Sequence, residues 1–313
     1  MSYIDQPWYI IVNPSAGCGR AKKRWTSIKK ELERQEIVYD FRISREPHEI
    51  AELVPELIAN GLRRFVSVGG DGTLHQLINA IFSQDVVASK EFIVGIIPVG
   101  TGNDWIKSHG ISSELHASVK VIKQGCTIRQ NIGVIQSGNM RRCFVNMVGL
   151  GLTPFVVRQY SSWGHRLNLG SLGYLVTTAV SLLKYREEQY QVSNGNGLKF
   201  NGRLLTLNIG LGQYCGGGIR LVPQAQANGH KLQCTVVHPI ALWNILANLA
   251  KLFNGKILSH PKVDSYEASI LTVAAEKPFY LEADGELIRN ANSFTISMIP
   301  EAISILVPET ETV

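Results

Sequence analysis

The sequence predicts an α/β domain with a mostly parallel sheet, followed by a β-rich domain built as a sandwich or a curled antiparallel sheet. Three observations lead there. The chain is 313 residues long, more than a single domain of ordinary size holds. Up to about residue 130, β-rich runs alternate with helix-like stretches in the order βαβα, the pattern of parallel strands covered by helices on both faces. After Thr127 the texture changes to short alternating runs separated by glycine and asparagine turns. The boundary falls near 127–131, and two domains imply a cleft.

In the first part, Trp8 to Val12, Ile37 to Ile43, Phe65 to Val68 and Phe92 to Ile97 read as strands. Ala21 to Gln35, His48 to Asn60, Leu74 to Phe82 and Leu115 to Gln124 read as helices. In the second part the strand-like runs are Ile128 to Gln136, Arg142 to Val148, Leu204 to Leu211, Leu232 to Val237, Ser269 to Val273 and Phe294 to Met298. No internal repeat or low-complexity linker interrupts them.

Composition narrows the class. At 45% hydrophobic and 18% charged residues the chain has apolar material for a core and lacks the signature of disorder. Its five cysteines are scattered and never in a C-x-x-C arrangement, which argues against a disulfide framework or a zinc site and for a reducing cytosol. The N-terminus lacks the basic and apolar regions of a signal peptide. The most apolar window, Ile240 to Phe253, is shorter than the roughly 20 residues a membrane span needs and is broken by Asn244, Asn248 and Lys251. A net charge of +6 favours anionic partners: nucleotide phosphates, an anionic leaflet or nucleic acid. Nucleic acid is set aside because no binding signature accompanies the charge.

Three strand-to-loop junctions carry the chemistry. Val66 to Val68 enters Gly69-Gly70-Asp71-Gly72-Thr73 and then a helix starting at Thr73 or Leu74. Glycines let backbone amides approach phosphate oxygens, and the helix N-terminus adds partial positive charge. Asp71 would repel a bare phosphate, so it suits a magnesium ion carried by a nucleotide; the plainer alternative is a tight turn that Asp71 caps. One βαβ unit later, Val94 to Pro98 leads into Val99-Gly100-Thr101-Gly102-Asn103-Asp104, where a hydroxyl, an amide and a carboxylate could hold phosphates and orient an acceptor hydroxyl, or Asn103 and Asp104 could cap the next helix. The first strand ends in Asn13-Pro14-Ser15-Ala16-Gly17-Cys18-Gly19-Arg20, a small-residue loop before the basic run Lys22, Lys23, Arg24. Asn13 and the loop amides are candidates for nucleotide contact, and the basic run is read as a solvated helix face rather than a ligand site, with help at an anionic membrane left open.

These loops, in this order and spacing, resemble the diacylglycerol kinase catalytic-domain family of soluble lipid kinases. Gly212, Gly216-Gly217-Gly218, Pro223 and Ala225 look like the family's glycine-rich segment, and Asp284-Gly285-Glu286 looks like its catalytic triplet. The Gly-Gly-Asp-Gly-Thr run alone is shared with NAD kinases. The resemblance implies an NAD kinase-like fold: a nucleotide-binding α/β domain over 1–130, completed by about 302–313, and a β-sandwich domain for the lipid substrate over 131–301, with the active site between them. It implies ATP and Mg2+ as cofactors, with ATP along Asn13, Pro14, Ser15, Gly17, the run Gly69, Gly70, Asp71, Gly72, Thr73, Leu74, His75 and Gln76, then Gly100, Thr101 and Asn103. Ser44 lies near the nucleotide, where the family often has threonine.

On sequence alone, Asp284-Gly285-Glu286 reads as a hairpin turn. The resemblance makes Glu286 the general base for the lipid hydroxyl, its pKa raised by burial or by Asp71 or Asp104 across the cleft, with Asp71 and Asp104 as catalytic partners. Where many bacterial members have an Asp-Asp-Gly turn that binds a structural magnesium, this chain has Ala227-Asn228-Gly229. An amide offers only a dipole, so a metal at Asn228 is not expected.

Leu242, Ile245, Leu246, Leu249, Leu252 and Phe253 form an apolar stripe opposite Asn244, Asn248 and Lys251, and Leu167 to Lys184 carries Leu169, Leu172, Val176, Val180 and Leu183. Each stripe faces either a membrane or the β-rich domain. The expectation is a cytoplasmic enzyme, peripheral on the inner face of the membrane and without a span, acting on diacylglycerol or a related lipid. A homodimer is left open, and the alternatives are an NAD kinase-like small-molecule kinase or a catalytically silent lipid- or nucleotide-binding module.

Overall fold

The computed structural model describes residues 6–46, 48–163, 171–195 and 197–309. It divides into two compact units, residues 1–131 with 301–313 and residues 132–300.

The first unit runs β1 (Trp8–Val12), α1 (Ala16–Arg34), β2 (Tyr39–Ile43), α2 (Glu49–Ala59), β3 (Arg64–Gly69), α3 (Asp71–Ile81), β4 (Ile93–Pro98), α4 (Asp104–Ser108), α5 (Leu115–Gln124) and the start of β5 (Thr127–Ser137). All five residues of β1 are buried, as a strand covered on both faces requires. β1 lies parallel between β2 and β3, β3 lies parallel to β4, and Ser304 and Ile305 add a further parallel partner beside Ile93 and Val94. Ile10, Val12, Val66, Val68 and Ile97 pack against Trp25, Ile28 and Leu32 of α1 and Val119 and Ile122 of α5. The chain leaves β1 toward β2 on one side and returns through β3 on the other, so the carboxyl ends of β1 and β3 bound the crevice where open α/β sheets place ligands.

Two helix boundaries differ from expectation. Helix α1 begins at Ala16 rather than Ala21, but Gly17, Cys18 and Gly19 hold positive φ of 62°, 58° and 81°, so its regular part starts after the glycines. Helix α3 begins at Asp71 rather than Thr73, because Thr73 and Leu74 already donate their amides to Gly70 O.

The second unit contains β6 (Met140–Phe144), β7 (Met147–Gly151), α6 (Leu152–Ser162), α7 (Ser171–Lys184), β8 (Glu188–Ser193), β9 (Leu198–Leu204), β10 (Thr206–Gly210), β11 (Tyr214–Cys215), β12 (Ile219–Arg220), β13 (Leu232–Val237), α8 (Leu242–Ala247), α9 (Leu249–Phe253), β14 (Val263–Ala268), β15 (Ile270–Ala283) and most of β16 (Glu286–Leu306). The run read as one strand over 142–148 is two, β6 and β7, because Val145 to Met147 turn to serve a buried carboxylate described below. The sheet is antiparallel in the order β14-β13-β10-β7-β15-β16. β15 shifts register between Ala274 and Phe279: before the shift it pairs with β8, after it with β7. Bent in this way, the sheet closes on one core that joins Val148, Leu150, Leu207 and Ile209 to Tyr190, Val192, Phe279 and Phe294. The sandwich is thus a curled antiparallel sheet. Among the described residues no helix is long and apolar enough to cross a membrane.

Candidate active site

In the first unit, the loops after β1, β3 and β4 interlock through backbone. Val99 N and Gly100 N donate to Gly69 O at 2.8 and 3.1 Å. A Cβ on Gly100 would lie 2.4 Å from the Cα of Gly70, so only glycine lets these loops pass. Gly17 approaches the same place: its Cβ would meet Val99 O at 2.1 Å. Asn13 joins the β1 loop to α3, donating Nδ2 to Thr73 Oγ1 at 3.1 Å while its Oδ1 accepts from Ser15 N. Arg20 closes the ring, donating to Gly17 O, to Gly100 O at 2.9 Å and to Thr101 Oγ1.

Asp71 sits in the first turn of α3, yet its carboxylate serves another helix. Oδ2 accepts from Asp104 N at 2.9 Å and Oδ1 from Trp105 N at 3.0 Å, at the start of α4. The anion thus lies at two helix N-termini, where both dipoles favour it. The capping alternative is correct in kind but displaced: Asp71 caps α4. Asp104 is buried, and its Oδ1 accepts from Lys107 Nζ at 2.7 Å. A Cβ on Gly102 would lie 3.3 Å from Asp71 Oδ2 and 3.2 Å from Asp104 Oδ2, so the two carboxylates converge on a space that glycine leaves vacant. Among the described residues no three His, Cys, Asp or Glu side chains gather as metal ligands. Two convergent carboxylates nevertheless suit magnesium, which is commonly held by one or two of them together with a nucleotide's phosphates and water.

Asn103 supplies a second sign of a ligand. It adopts φ 48° and donates Nδ2 to Gly100 O, and its buried Oδ1, beside Gly70 and Gly100, has no hydrogen-bond partner among the described residues. A lone acceptor calls for a hydroxyl, an amine or a metal-bound water, all of which a magnesium nucleotide carries.

In the second unit, Asp284 and Gly285 form the two-residue turn of the β15–β16 hairpin, with φ of 50° and 88° and Ala283 paired to Glu286. The hairpin reading therefore holds, and the triplet divides its labour. Asp284 is buried and accepts three backbone amides: Val145 at 2.9 Å, and Asn146 and Met147 at 3.0 Å. Glu286 is half-exposed on the first residue of β16. Gly216, Gly217 and Gly218 all hold positive φ, and Asn146 ties the segment down by donating to Tyr214 O. Asn228 is exposed in a turn closed by Gly229 N donating to Gln226 O.

The same unit encloses an apolar cavity of about 140 Å³ between the sheet and its helices. Leu152 and Val156 of α6, Tyr174 and Leu182 of α7, and Ile245 and Leu252 of α8 and α9 form its walls. The apolar stripe of 242–253 is corrected here. The segment breaks into two short helices at Asn248, and Asn248 and Lys251, read as the outer side, line the cavity.

The diacylglycerol kinase catalytic domain model matches residues 7–135. The model for the YegS C-terminal NAD kinase beta sandwich-like domain matches residues 148–307, just over half of the chain. The chain belongs to the family of the YegS C-terminal NAD kinase beta sandwich-like domain, joined here to a match for the diacylglycerol kinase catalytic domain. Relatives include the "Probable lipid kinase YegS-like" of Enterobacter sp. (strain 638), 26% identical over 280 residues and covering 89% of each chain. The "Lipid kinase YegS" of Escherichia coli (strain K12) is 25% identical over 282 residues, 88% of this chain and 89% of that one. A diacylglycerol kinase from Bacillus anthracis str. Sterne has the same fold, with TM-score 0.73 at 16% identity over 96% of this chain and 97% of that one. So, more distantly, has an NAD kinase from Archaeoglobus fulgidus in complex with ATP, with TM-score 0.53 at 13% identity over 96% and 93%. The fold is therefore the NAD kinase/diacylglycerol kinase-like one, and membership implies a phosphotransferase that uses ATP.

Of the residues the family resemblance marked, the first unit brings together Asn13, Ser15, Gly17, Gly69 to Thr73, Gly100, Thr101, Asn103 and Asp104. Ser44 is buried at the end of β2 and donates to Val12 O at 3.2 Å, one strand away from Asn13. Leu74 and His75 are buried within α3, and Gln76 is half-buried. Arg20, which the sequence shows only as the last residue of the first loop, and Lys107, an ordinary helix cation by pattern, were given no role from sequence; the fold brings Arg20 to Gly100 and Thr101 and Lys107 to Gly102 and Asp104.

Proposed function

We propose that this chain is an ATP-dependent lipid kinase that transfers the γ-phosphoryl group of ATP to the hydroxyl of diacylglycerol or a related lipid, giving phosphatidic acid or the analogous lipid phosphate. The observation that carries the lipid acceptor is the apolar cavity of the second unit, since a dinucleotide acceptor such as NAD would call for a polar pocket with charged anchors. The interlocked glycine loops support a triphosphate site, and the unpaired Asn103 Oδ1 supports a donor-bearing ligand beside them.

In this reading Asp71 and Asp104 hold the nucleotide's magnesium, which supplies charge neutralisation on the transferring phosphoryl group. Glu286 takes the proton from the lipid hydroxyl as its oxygen bonds to the γ-phosphorus and the bond to ADP breaks. Asp284 fixes the turn that presents Glu286. The nucleotide-binding role belongs to the first unit and the lipid role to the second. The enzyme works as a peripheral protein on the cytoplasmic leaflet.

The test is a transfer assay with γ-labelled ATP and magnesium over diacylglycerol, monoacylglycerol, ceramide, sphingoid base and NAD. Label in a lipid and none in NAD is expected. Label in NAD alone would install the NAD kinase reading, and no turnover on any acceptor would make the chain a binding module.

A further inference from the structure

The helices that border the cavity present apolar faces to water. In α7 the buried positions are Gly173, Thr177 and Ser181, one turn apart. From Gly173 to Leu183 the exposed positions are Leu175, Val176, Ala179 and Leu183, the last 70% exposed. A water-facing helix normally shows the reverse. On the inner face Thr177 donates to Gly173 O at 2.8 Å, while the buried Ser181 hydroxyl has no hydrogen-bond partner among the described residues.

The α8–α9 segment repeats the arrangement independently. Its inward side includes Asn244, which pairs with His260 at 3.0 Å, and Asn248, which donates back to Asn244. Every described side chain exposed between Leu242 and Phe253 is apolar: Trp243 at 71%, Ala247, Leu249, Ala250 and Phe253. Six of the fourteen exposed large apolar side chains among the described residues lie on α7, α8 and α9. Clustering of this kind marks an interaction surface, whereas scattered apolar residues mark nothing.

Charge selects the occupant. Residues 189–263 contain seven Lys or Arg and no Asp or Glu. Exposed Lys184 ends α7, and exposed Lys256 follows α9. A second copy of the same surface would set positive charge against positive charge; an anionic bilayer complements both the charge and the apolar face.

We propose that the outward faces of α7, α8 and α9 form the surface by which the protein docks on an anionic lipid bilayer, with Trp243, Leu249, Phe253 and Leu183 entering the acyl boundary and Lys184 and Lys256 at headgroup level. The cavity bordered by these helices then draws an acyl chain directly from that leaflet. This last step rests on the lipid-kinase reading; the docking surface does not.

The experiment measures co-sedimentation of the full chain with phosphatidylcholine vesicles, with and without 30% phosphatidylglycerol, at low and high salt. Binding to the anionic vesicles, weakened by salt, is expected. A variant carrying Trp243→Glu, Leu249→Glu and Phe253→Glu should lose about 50-fold or more in vesicle partitioning with its thermal midpoint unchanged, since these side chains make no core. Should that variant fail to fold, the single changes Trp243→Ser and Leu183→Ser each test the same face, with about 5-fold losses expected. No anionic preference, or variants that bind like the parent, would overturn the proposal. So would a solution dimer that these substitutions dissociate, because the face would then be a protein interface. Vesicle binding abolished by the substitutions, in a protein without lipid phosphorylation, would keep the docking surface and remove the kinase reading. Lipid phosphorylation with vesicle binding indifferent to them would do the opposite.

Discussion

Replacing Asp284 by Asn exchanges one carboxylate oxygen for an NH2 group and leaves shape and turn conformation almost untouched, since Asn tolerates the φ of 50° that this position holds. The effect falls first on the three amides that the carboxylate accepts. Oδ1 takes Asn146 N and Met147 N at 3.0 Å each, and Oδ2 takes Val145 N at 2.9 Å. An amide oxygen kept on the first pair still accepts both, with the loss of charge assistance. The NH2 group then faces the Val145 N–H, donor against donor, in a buried site. An unsatisfied buried donor costs about 1–3 kcal/mol, and the weakened pair adds about 1 kcal/mol, so a destabilisation of about 2–4 kcal/mol is expected. For a unit of this size that lowers the thermal midpoint by about 5–12 °C. Urea unfolding followed by circular dichroism reads the same quantity as a lower midpoint at unchanged slope. A variant within about 0.5 kcal/mol of the parent would refute the claim that Asp284 holds the turn through these amides.

Three further outcomes follow. Gly100→Ala places a methyl group 2.4 Å from Gly70 Cα, so the loops must part and ATP affinity should fall by about 10-fold or more by calorimetric titration, whereas unchanged affinity would separate this contact from nucleotide binding. Burial lowers the His109 pKa from 6.5 to about 4 against a weaker opposing hydrogen bond to Gln130, so the unfolded chain binds the extra proton first. The stability this contributes is complete above pH 6.5 and is lost as pH falls toward 4, by at most about 3 kcal/mol, and His109→Gln should flatten that part of the profile. Millimolar magnesium without nucleotide should leave the thermal midpoint unmoved, because Asn228 is an exposed amide in a simple turn; a rise abolished by Asn228→Ala would show a structural metal there.

The parallel sheet and its three loops were legible because their signals are local. β1 is a continuous apolar run ending in Asn13-Pro14, and Gly69 to Thr73 is a strand-to-turn-to-helix junction in five residues. The hairpin at Asp284-Gly285 was legible for the same reason. What was not legible is non-local. No pattern tells that Asp71 serves the amides of Asp104 and Trp105, that Asp284 serves those of Val145 to Met147, or that Arg20 reaches Gly100. The helix over 242–253 shows the limit of periodicity in another way. A stripe at helical spacing identifies two faces, but which one meets the protein depends on what the sheet offers, and here Asn248 and Lys251 turn inward. Leu167 and Leu169, assigned to a helix by spacing, lie outside the described residues, and α7 begins at Ser171.

The most direct test of the account is phosphorus NMR of the lipid recovered after incubation with ATP, magnesium and dispersed diacylglycerol, comparing the parent with Glu286→Gln. A new phosphomonoester on the lipid is expected in the parent. In the variant the rate should be lower by about 10²-fold or more, with nucleotide affinity and thermal midpoint nearly unchanged, because the substitution removes a base and keeps its shape. Equal product from both proteins would remove Glu286 from the chemistry, and no lipid phosphomonoester from the parent on any lipid class would contradict the lipid-kinase reading itself.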